Sequence, residues 1–500
     1  MENFLLGLEV GTSALKAVLY DLAGAERFVA RRAYRLATPQ PGWAEQDADE
    51  IWCALVAILR EAAEASAGHG RIETLALAAQ AGSVVPVDAA GAPLAPLITW
   101  LDRRAEPIVA GWRMDGVAAR IRQLSGWHPH PGLALASIAW LTHHAPAVAK
   151  QTVRFLDVQG FLLQRLAGRP LTDFSEAAEL LLLDRTTRTW SPELCTLAGI
   201  SPTQLSELAP AGTVAGQLLP AVARLTGLPP ELTVVVGGQD QCCAALGMGV
   251  MASGQLMLAS GTAWVLTALA PNPHLDQMPA GMDLNFHVVR DVYTVSQLLG
   301  GFGAAVDWWL NLLGFDAPSR YRALETALAE SPPGANDLLF LSLGGSVQTS
   351  NDVQTGGPGG FIGLRLDHTR ADMVRALCEG AAYEVRWALE VLDAAHLPAQ
   401  QMWMSGGATH SAGWPALLAD ITGIPLHVAH GANWPARGAA TLAGLGAGLL
   451  GNLESTLERW RLPLAEILPN ASTVALYDAH YAAYRALAAR LALGGLYNRS

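Results

Sequence analysis

A chain of 500 residues, 51% hydrophobic and 15% charged, is long enough for two or more domains and apolar enough for a large core. Its net charge of −12 argues against non-specific binding to nucleic acid or an anionic membrane, so an anionic substrate needs backbone amides, helix ends or a metal. The five cysteines, Cys53, Cys195, Cys242, Cys243 and Cys378, have no C-x-x-C or zinc-like spacing and read as buried, reduced thiols of a cytoplasmic protein.

The N-terminal run "MENFLLGLEVGTS" carries an acid and is broken by glycine, so it reads as neither signal peptide nor spanning helix. "FLLGLEV" and "ALKAVLYD" read instead as two strands joined by a Gly-Thr turn. Such a turn offers backbone N–H groups and a hydroxyl to phosphate oxygens, although an ordinary β-turn has the same sequence. Glu9 shares a strand face with the turn and reads either as a Mg²⁺ ligand or as a solvated strand-end acid. Lys16 lies further down the second strand and reads as solvated.

A helix follows from about Asp47, with Trp52, Val56, Ile58 and Leu59 at helical spacing. "IETLALAAQ" and "SVVPVDAAGAPL" add strands, and "ASIAWLTHHAP" and "DVQGFLLQRLAG" add helices. At "VVVGGQDQCCAALGMG" three valines form a buried strand, two glycines break it, and Asp240 begins an apolar helix. Asp240 reads as a helix N-cap, as a reactive carboxylate whose pKa the helix end lowers, or as both.

The second half opens as the first does. "LASGTAWVLTAL", residues 258–269, repeats the layout of "LEVGTSALKAVL", residues 8–19. A Gly-rich strand-to-helix junction, "SGGATHS", then reads as a tight turn or as a place where a flat nucleoside approaches the backbone. Long helices flank it at about 371–394 and 436–450. The expected plan is two α/β halves, 1–244 and 245–500, around a cleft.

These segments, in this order, resemble the FGGY family of carbohydrate kinases. "GLEVGTSALKAVLYD" is similar to the first phosphate motif, "GWAEQDADEIW" to the segment after it, and "ITWLDRRA" to the W-x-D-x-R stretch. "LTDFSEAAELLLLD" is similar to T-D-x-S-x-A, "GGQDQCCAALGMG" to the catalytic G-G-x-D, and "SGTAWVL" to the second phosphate hairpin. "GGFIGLRLDHTRADMVRALCEGAAYEV" resembles the C-terminal signature, and "MSGGATHSAGWPALLADITGIPL" the adenosine region.

The resemblance implies two actin-like, ribonuclease H-like domains of α/β class with a catalytic cleft between them, a sugar-binding domain at 1–244 and an ATP-binding domain at 245–500. It implies Asp240 as catalytic base, ATP as phosphate donor, and Mg²⁺ near Glu9 and Asp240. Gly11, Thr12 and Ser13 would form the first phosphate hairpin, Gly261 and Thr262 the second. Gly406, Gly407 and Ala408 would approach the nucleotide. Gln80, Ala81, Gly82, Trp100 and Asp102, with Asp240, would line the sugar pocket. The pattern is closest to xylulose kinases, implying a cytoplasmic homodimer that phosphorylates a ketopentose, D-xylulose first.

The sequence departs from that pattern in four places. Ala81 and Gly82 stand where Met and His are usual, and Glu9 stands where Asp is usual. Ser137 replaces a lysine, and "LGGSVQTSNDVQTGGPGGF" replaces G-E-R-x-P. Another ketose, a sugar acid or a polyol is therefore an alternative acceptor, and a non-catalytic nucleotide- or sugar-binding regulator is an alternative role.

Overall fold

The computed structural model describes residues 2–261, 263–270, 278, 281–300, 302–315, 320–341, 360–431 and 433–493. The elements that matter for the site are, in chain order, β1 (Glu2–Val10), β2 (Ala14–Asp21), β3 (Glu26–Ala33), α1 (Ala48–Ser66) and β4 (Gly70–Ala79). Next come α2 (Phe174–Glu179), β5 (Val214–Gln217), β6 (Thr233–Gln239) and α3 (Asp240–Met248). The second half supplies β7 (Gln255–Ser260), β8 (Trp264–Ala270), β9 (Tyr293–Gly300), α4 (Arg370–Ala394), β10 (Gln401–Gly406) and β11 (Leu426–Val428). Last come α5 (Trp434–Gly446) and β12 (Ala465–Ile467).

By contacts the chain forms two units. The first is Met1–Gly249 with Leu284–Tyr293 and Asn433–Leu462; the second is Val250–Asp283, Thr294–Ala432 and Pro463–Ser500. The first unit therefore reaches slightly past residue 244 and takes in two later segments.

In the first unit the strand order is β5–β6–β4–β1–β2–β3. Strands β6, β4 and β1 are mutually parallel, and β2 and β3 continue antiparallel. The middle of β1, Phe4 to Leu8, is buried on both faces, which is why it reads as an unbroken apolar run. On one face α1 contributes Ile51, Leu55, Ile58 and Leu59 to a core with Leu6, Leu8 and Val10. Trp52 and Val56, expected in that stripe, are only half-buried. Asp47 caps α1, accepting from the Asp49 and Glu50 N–H groups. Cys53 is an exception to the expected burial: it lies on the outer face of α1 and is exposed, whereas the other four cysteines are buried.

On the other face α5 packs Ala436 and Ala440 against Leu5, Val18 and Tyr20. The approach is backbone to backbone. A Cβ on Gly7 would overlap the Ala436 carbonyl, and one on Gly438 would overlap the Cys243 carbonyl of α3. Helix α5 thus clamps β1 and α3 into one frame.

The second unit orders its strands β9–β8–β7–β10–β11–β12. Strands β7, β10 and β11 are parallel, β8 joins β7 antiparallel, and β12 joins β11 antiparallel. The repeated Gly-Thr layout in the sequence is thus a repeat of topology, hairpin beside two parallel strands. Among the described residues no helix is long and apolar enough to cross a membrane.

Candidate active site

The carboxyl ends of three parallel strands in the first unit lie in register. Val10 of β1 pairs with Ala79 of β4, and Ala79 pairs with Gln239 of β6. The residues that follow these ends are Gly11, Gln80 and Asp240, so three segments far apart in sequence meet at one sheet edge. In open α/β sheets this edge is where ligands bind.

The first hairpin is tightly held. Gly11 N–H donates to the Ala14 carbonyl at 3.1 Å, and the Tyr34 hydroxyl donates to the Gly11 carbonyl. Thr12 accepts twice, at its carbonyl from Gln46 Nε2 at 2.6 Å and at Oγ1 from Trp100 Nε1 at 2.9 Å. Ser13 sits exposed at the tip. Gln46 in turn accepts from Gln80 Nε2 at 2.8 Å, while Gln80 Oε1 is buried with no partner among the described residues. Gln80 therefore offers a prepared acceptor for a hydroxyl donor.

Glu9 is half-buried and pairs with Lys16 Nζ at 3.1 Å. Lys16 is therefore not simply solvated; the hairpin register places it directly opposite Glu9. Glu9 and Lys16 together form an ion pair beside the turn.

Asp240 occupies the first position of α3, and the cap is Gln239, whose Oε1 accepts from Cys242 N–H at 3.0 Å. The expectation that Asp240 caps its helix is corrected by one residue, because β6 runs through Gln239 without a loop. Its pKa is also corrected in sign. Burial raises it to about 7, Glu9 pushes the same way, and the Gln241 backbone N–H opposes them. The helix N-terminus favours the anion, but desolvation next to a second acid outweighs it. The result is a carboxyl poised near neutrality, the range suited to a general base.

On the sugar-side loop, Ala81 and Gly82 are buried. Gly82 has φ +76° and a Cβ there would come 2.5 Å from Leu133 Cδ2, so a larger residue is strained in this backbone. Trp100 is half-buried with its indole fixed on Thr12. Asp102 is completely buried and fully occupied: it accepts from Ala44 N–H at 2.7 Å and from Arg104 Nε and Nη2 at 2.9 and 2.8 Å. Arg104 also pairs with Glu45 at 2.7 Å and lies 3.7 Å over the Trp43 ring. Asp102 thus holds the loop in place, its oxygens taken up by Ala44 and Arg104.

Sequence reasoning missed a second layer of acids. Asp173 and Glu176 of the α2 turn are buried, and both Glu176 oxygens lack a hydrogen-bond partner among the described residues. Burial, then Asp157, Asp173, Glu179 and Asp240, holds the Glu176 carboxyl well above its ordinary range. Gln239 and Glu179 were missed as well; Gln239's place immediately before Asp240 was the available signal.

In the second unit, β7 and β10 place Ser260 opposite Gly406, and Ser260 Oγ donates to the Ser405 carbonyl at 2.6 Å. Gly406 has φ +97°, and a Cβ there would stand 2.7 Å from Ser260 C. Gly407 and Ala408 begin the short helical turn that follows. Gly261 is exposed beside this turn, so Gly261, Gly406, Gly407 and Ala408 form a second backbone-lined set. Thr262 lies outside the described residues, as does most of the segment that replaces G-E-R-x-P.

Comparison with known proteins gives a consistent picture. The family model for the N-terminal domain of the FGGY family of carbohydrate kinases matches residues 4–247, and that for the C-terminal domain matches 256–447. The chain is 27% identical over 485 residues to a xylulose kinase of Escherichia coli (strain K12), covering 96% of this chain and 98% of that one. It is 26% identical over 444 residues to a gluconokinase of Bacillus licheniformis, covering 84% and 83%. Its structure is similar to that of a xylulose kinase from Rhodospirillum rubrum, with a TM-score of 0.90, 27% identity, and 98% and 99% of the two chains covered.

Proposed function

The chain belongs to the FGGY family of carbohydrate kinases, and from that premise we propose that it transfers the γ-phosphate of ATP to a hydroxyl of a ketopentose, D-xylulose giving D-xylulose 5-phosphate. The observation that carries this reading is Asp240. It is a carboxyl with a pKa of about 7 at the end of a parallel strand, in register with the phosphate hairpin and with Gln80. With such a pKa, about half the free carboxyls are ionised at neutral pH and ready to accept a proton.

In the proposed reaction the acceptor hydroxyl donates its proton to Asp240. The freed oxygen forms a bond to the γ-phosphorus as the bond to the ADP oxygen breaks. Gln80 Oε1 accepts an acceptor hydroxyl, and the Trp100 ring gives an apolar face to the sugar's C–H groups. The N–H groups and hydroxyls of Thr12 and Ser13 hold phosphate oxygens, and Gly261, Gly406, Gly407 and Ala408 leave room for the nucleotide.

Glu9 and Asp240 are the acids that would hold Mg²⁺. The repulsion that raises Asp240 marks a pair of carboxylates that a divalent cation relieves, and Mg²⁺ ordinarily takes one or two carboxylates with substrate phosphates. When bound it neutralises charge on those phosphates.

A second acceptor class is kept open by Ala81–Gly82, which lacks the bulk of Met-His, and by a gluconokinase as similar to this chain as a xylulose kinase is. The test is ADP release by the purified protein with Mg-ATP against ketopentoses, ketohexoses, sugar acids and polyols. An acceptor-dependent rate with D-xylulose supports the lead reading. A rate with another acceptor alone replaces the substrate and keeps the chemistry. No rate with any of them, ATP still bound, supports the non-catalytic regulator.

A further inference from the structure

Asp240 is delivered by the bulged end of β6. On one side β5 pairs with β6 up to Val235, and the loop before β5 carries the contact to Val236, whose N–H donates to the Thr213 carbonyl at 2.8 Å and whose carbonyl accepts from Gly212 N–H at 2.8 Å. On the other side the register with β4 slips. Val235 stands opposite Ala76 and Gly238 opposite Ala78, so β6 advances three residues where β4 advances two. A bulge of this kind disrupts the ladder locally and re-aims the side chains that follow it.

The peptide next to Asp240 finds its partner outside the sheet. Gln239 N–H donates to Ser175 Oγ at 2.9 Å, and the Ser175 hydroxyl donates in turn to Asp173 Oδ2 at 2.7 Å. Asp173 is itself fixed, because it caps α2: Oδ2 accepts from Ser175 N–H at 2.9 Å and Oδ1 from Glu176 N–H at 3.1 Å. A backbone N–H only donates and a carboxylate only accepts, so the group between them must do both, as a hydroxyl does. With its proton committed to Asp173, Ser175 Oγ turns a lone pair to Gln239.

Glycine at 238 makes this approach possible. A Cβ there would come 2.9 Å from Ser175 Oγ, 3.2 Å from Asp173 Oδ2 and 2.3 Å from Val288 Cγ1. Ser175 is fully buried, so its hydroxyl reaches the reaction only through the strand.

We infer that Ser175 is a positioning residue for the base: aimed by Asp173, its hydroxyl holds the Gln239 peptide and so fixes where the bulged strand delivers Asp240. The inference rests on the kinase reading of the same site. Proton transfer depends on the placement of the base much more steeply than ligand binding does, so a loosened strand end should slow the reaction and leave binding nearly intact.

The experiment measures kcat per nucleotide-binding site, KM for the acceptor and nucleotide Kd in wild type, Ser175→Ala, Asp240→Asn and the double variant, with the slow variants followed by product accumulation over long incubation. Ser175→Ala should lower kcat by about tenfold, with KM and Kd within about twofold of wild type. In the Asp240→Asn background the same change should lower kcat by less than about twofold, because the residue it positions no longer takes the proton. Counting rate per binding site removes the loss of folded protein that a merely structural role would cause. An unchanged kcat per site overturns the inference, and so does an equal loss with and without Asp240. Should Ser175→Ala fail to fold, Ser175→Cys, whose thiol bonds only weakly, takes its place in the same two comparisons. An Asp240→Asn enzyme as fast as wild type removes the base from the reading, and the inference with it. If the wild type phosphorylates no acceptor, the kinase reading fails by itself, and amide hydrogen exchange across residues 233–241 decides the hold on the strand. Faster exchange in Ser175→Ala then supports that hold, and unchanged exchange overturns it.

Discussion

The two hairpins, one after Val10 and one after Ser260, each stand beside two parallel strands of their own sheet, yet they keep different company. The first is surrounded by side chains that carry charge or donate hydrogen bonds: the Glu9–Lys16 pair, Tyr34, Gln46, Trp100 and, on the neighbouring strand end, Asp240. Beside the second, the described residues include Ser260, bonded to a carbonyl, Gly406, in a conformation that favours glycine, and Tyr321, whose hydroxyl lies against Gly407. One topology, used twice, has thus been filled for two tasks. On the proposed reading the first unit manages the proton, and the second lets the nucleotide come close to the main chain.

The strongest way to break this contrast is Asp240→Asn. It should lower kcat by about 10²–10⁴-fold, the usual range for a general base, while nucleotide affinity measured by calorimetry stays near wild type. A retained kcat would remove the proton-handling role from the first unit. The converse variant is Gly406→Ala. Its Cβ meets Ser260 and its φ is positive, so a stability loss of about 1–3 kcal/mol and a weaker nucleotide Kd are expected, with the pH profile unmoved.

The pH profile sharpens the comparison further. Because the free carboxyl has a pKa of about 7, kcat/KM should fall as pH drops below that value. Lys16→Met should move the acid limb upward, since Glu9 would then act on Asp240 without its counter-charge. The linkage to stability has a definite sign. A carboxyl whose folded pKa is raised from 3.8 to about 7 favours the folded state fully below pH 3.8, and that contribution is lost as pH climbs through 7. Asp240→Asn should therefore melt higher than wild type at pH 8, with the difference closing toward pH 4.

The smallest effect belongs to Trp100→Phe. It keeps an aromatic face and removes the indole bond to Thr12, worth about 1 kcal/mol, so KM for the acceptor should rise by only a few-fold.

Much of this was legible in the sequence because glycine and β-branched residues punctuate it sharply. Both hairpins, the Val234–Val236 strand and the strand-to-helix seam at Asp240 follow from that punctuation. What escaped was set by register and by distant partners. Gln239 rather than Asp240 caps α3 because pairing with Ala79 carries β6 one residue further. Glu9 and Lys16 face each other only once the hairpin register is counted. Asp102 is filled by Arg104 and by the Ala44 N–H, a backbone group 58 positions away, and no local pattern announces that. Glu179 lies in an unremarkable "AAEL", and nothing local announces that Gln239 Nε2 and Asn285 Nδ2 donate to it.

Helix α5 has a consequence for the order in which the molecule is made. Its glycines and alanines press directly on β1 and α3, which were synthesised hundreds of residues earlier. While the ribosome is still translating the second unit, the strand bearing Glu9 and the helix bearing Asp240 lack one of their packing partners. The apolar face of β1 formed by Leu5 with Val18 and Tyr20 must wait uncovered until residues 433–462 emerge. Domains usually fold from the N-terminus as they appear. Here the first half is completed close to the end of translation, and a chain released at the end of α3 would carry Asp240 on a helix that lacks its α5 partner.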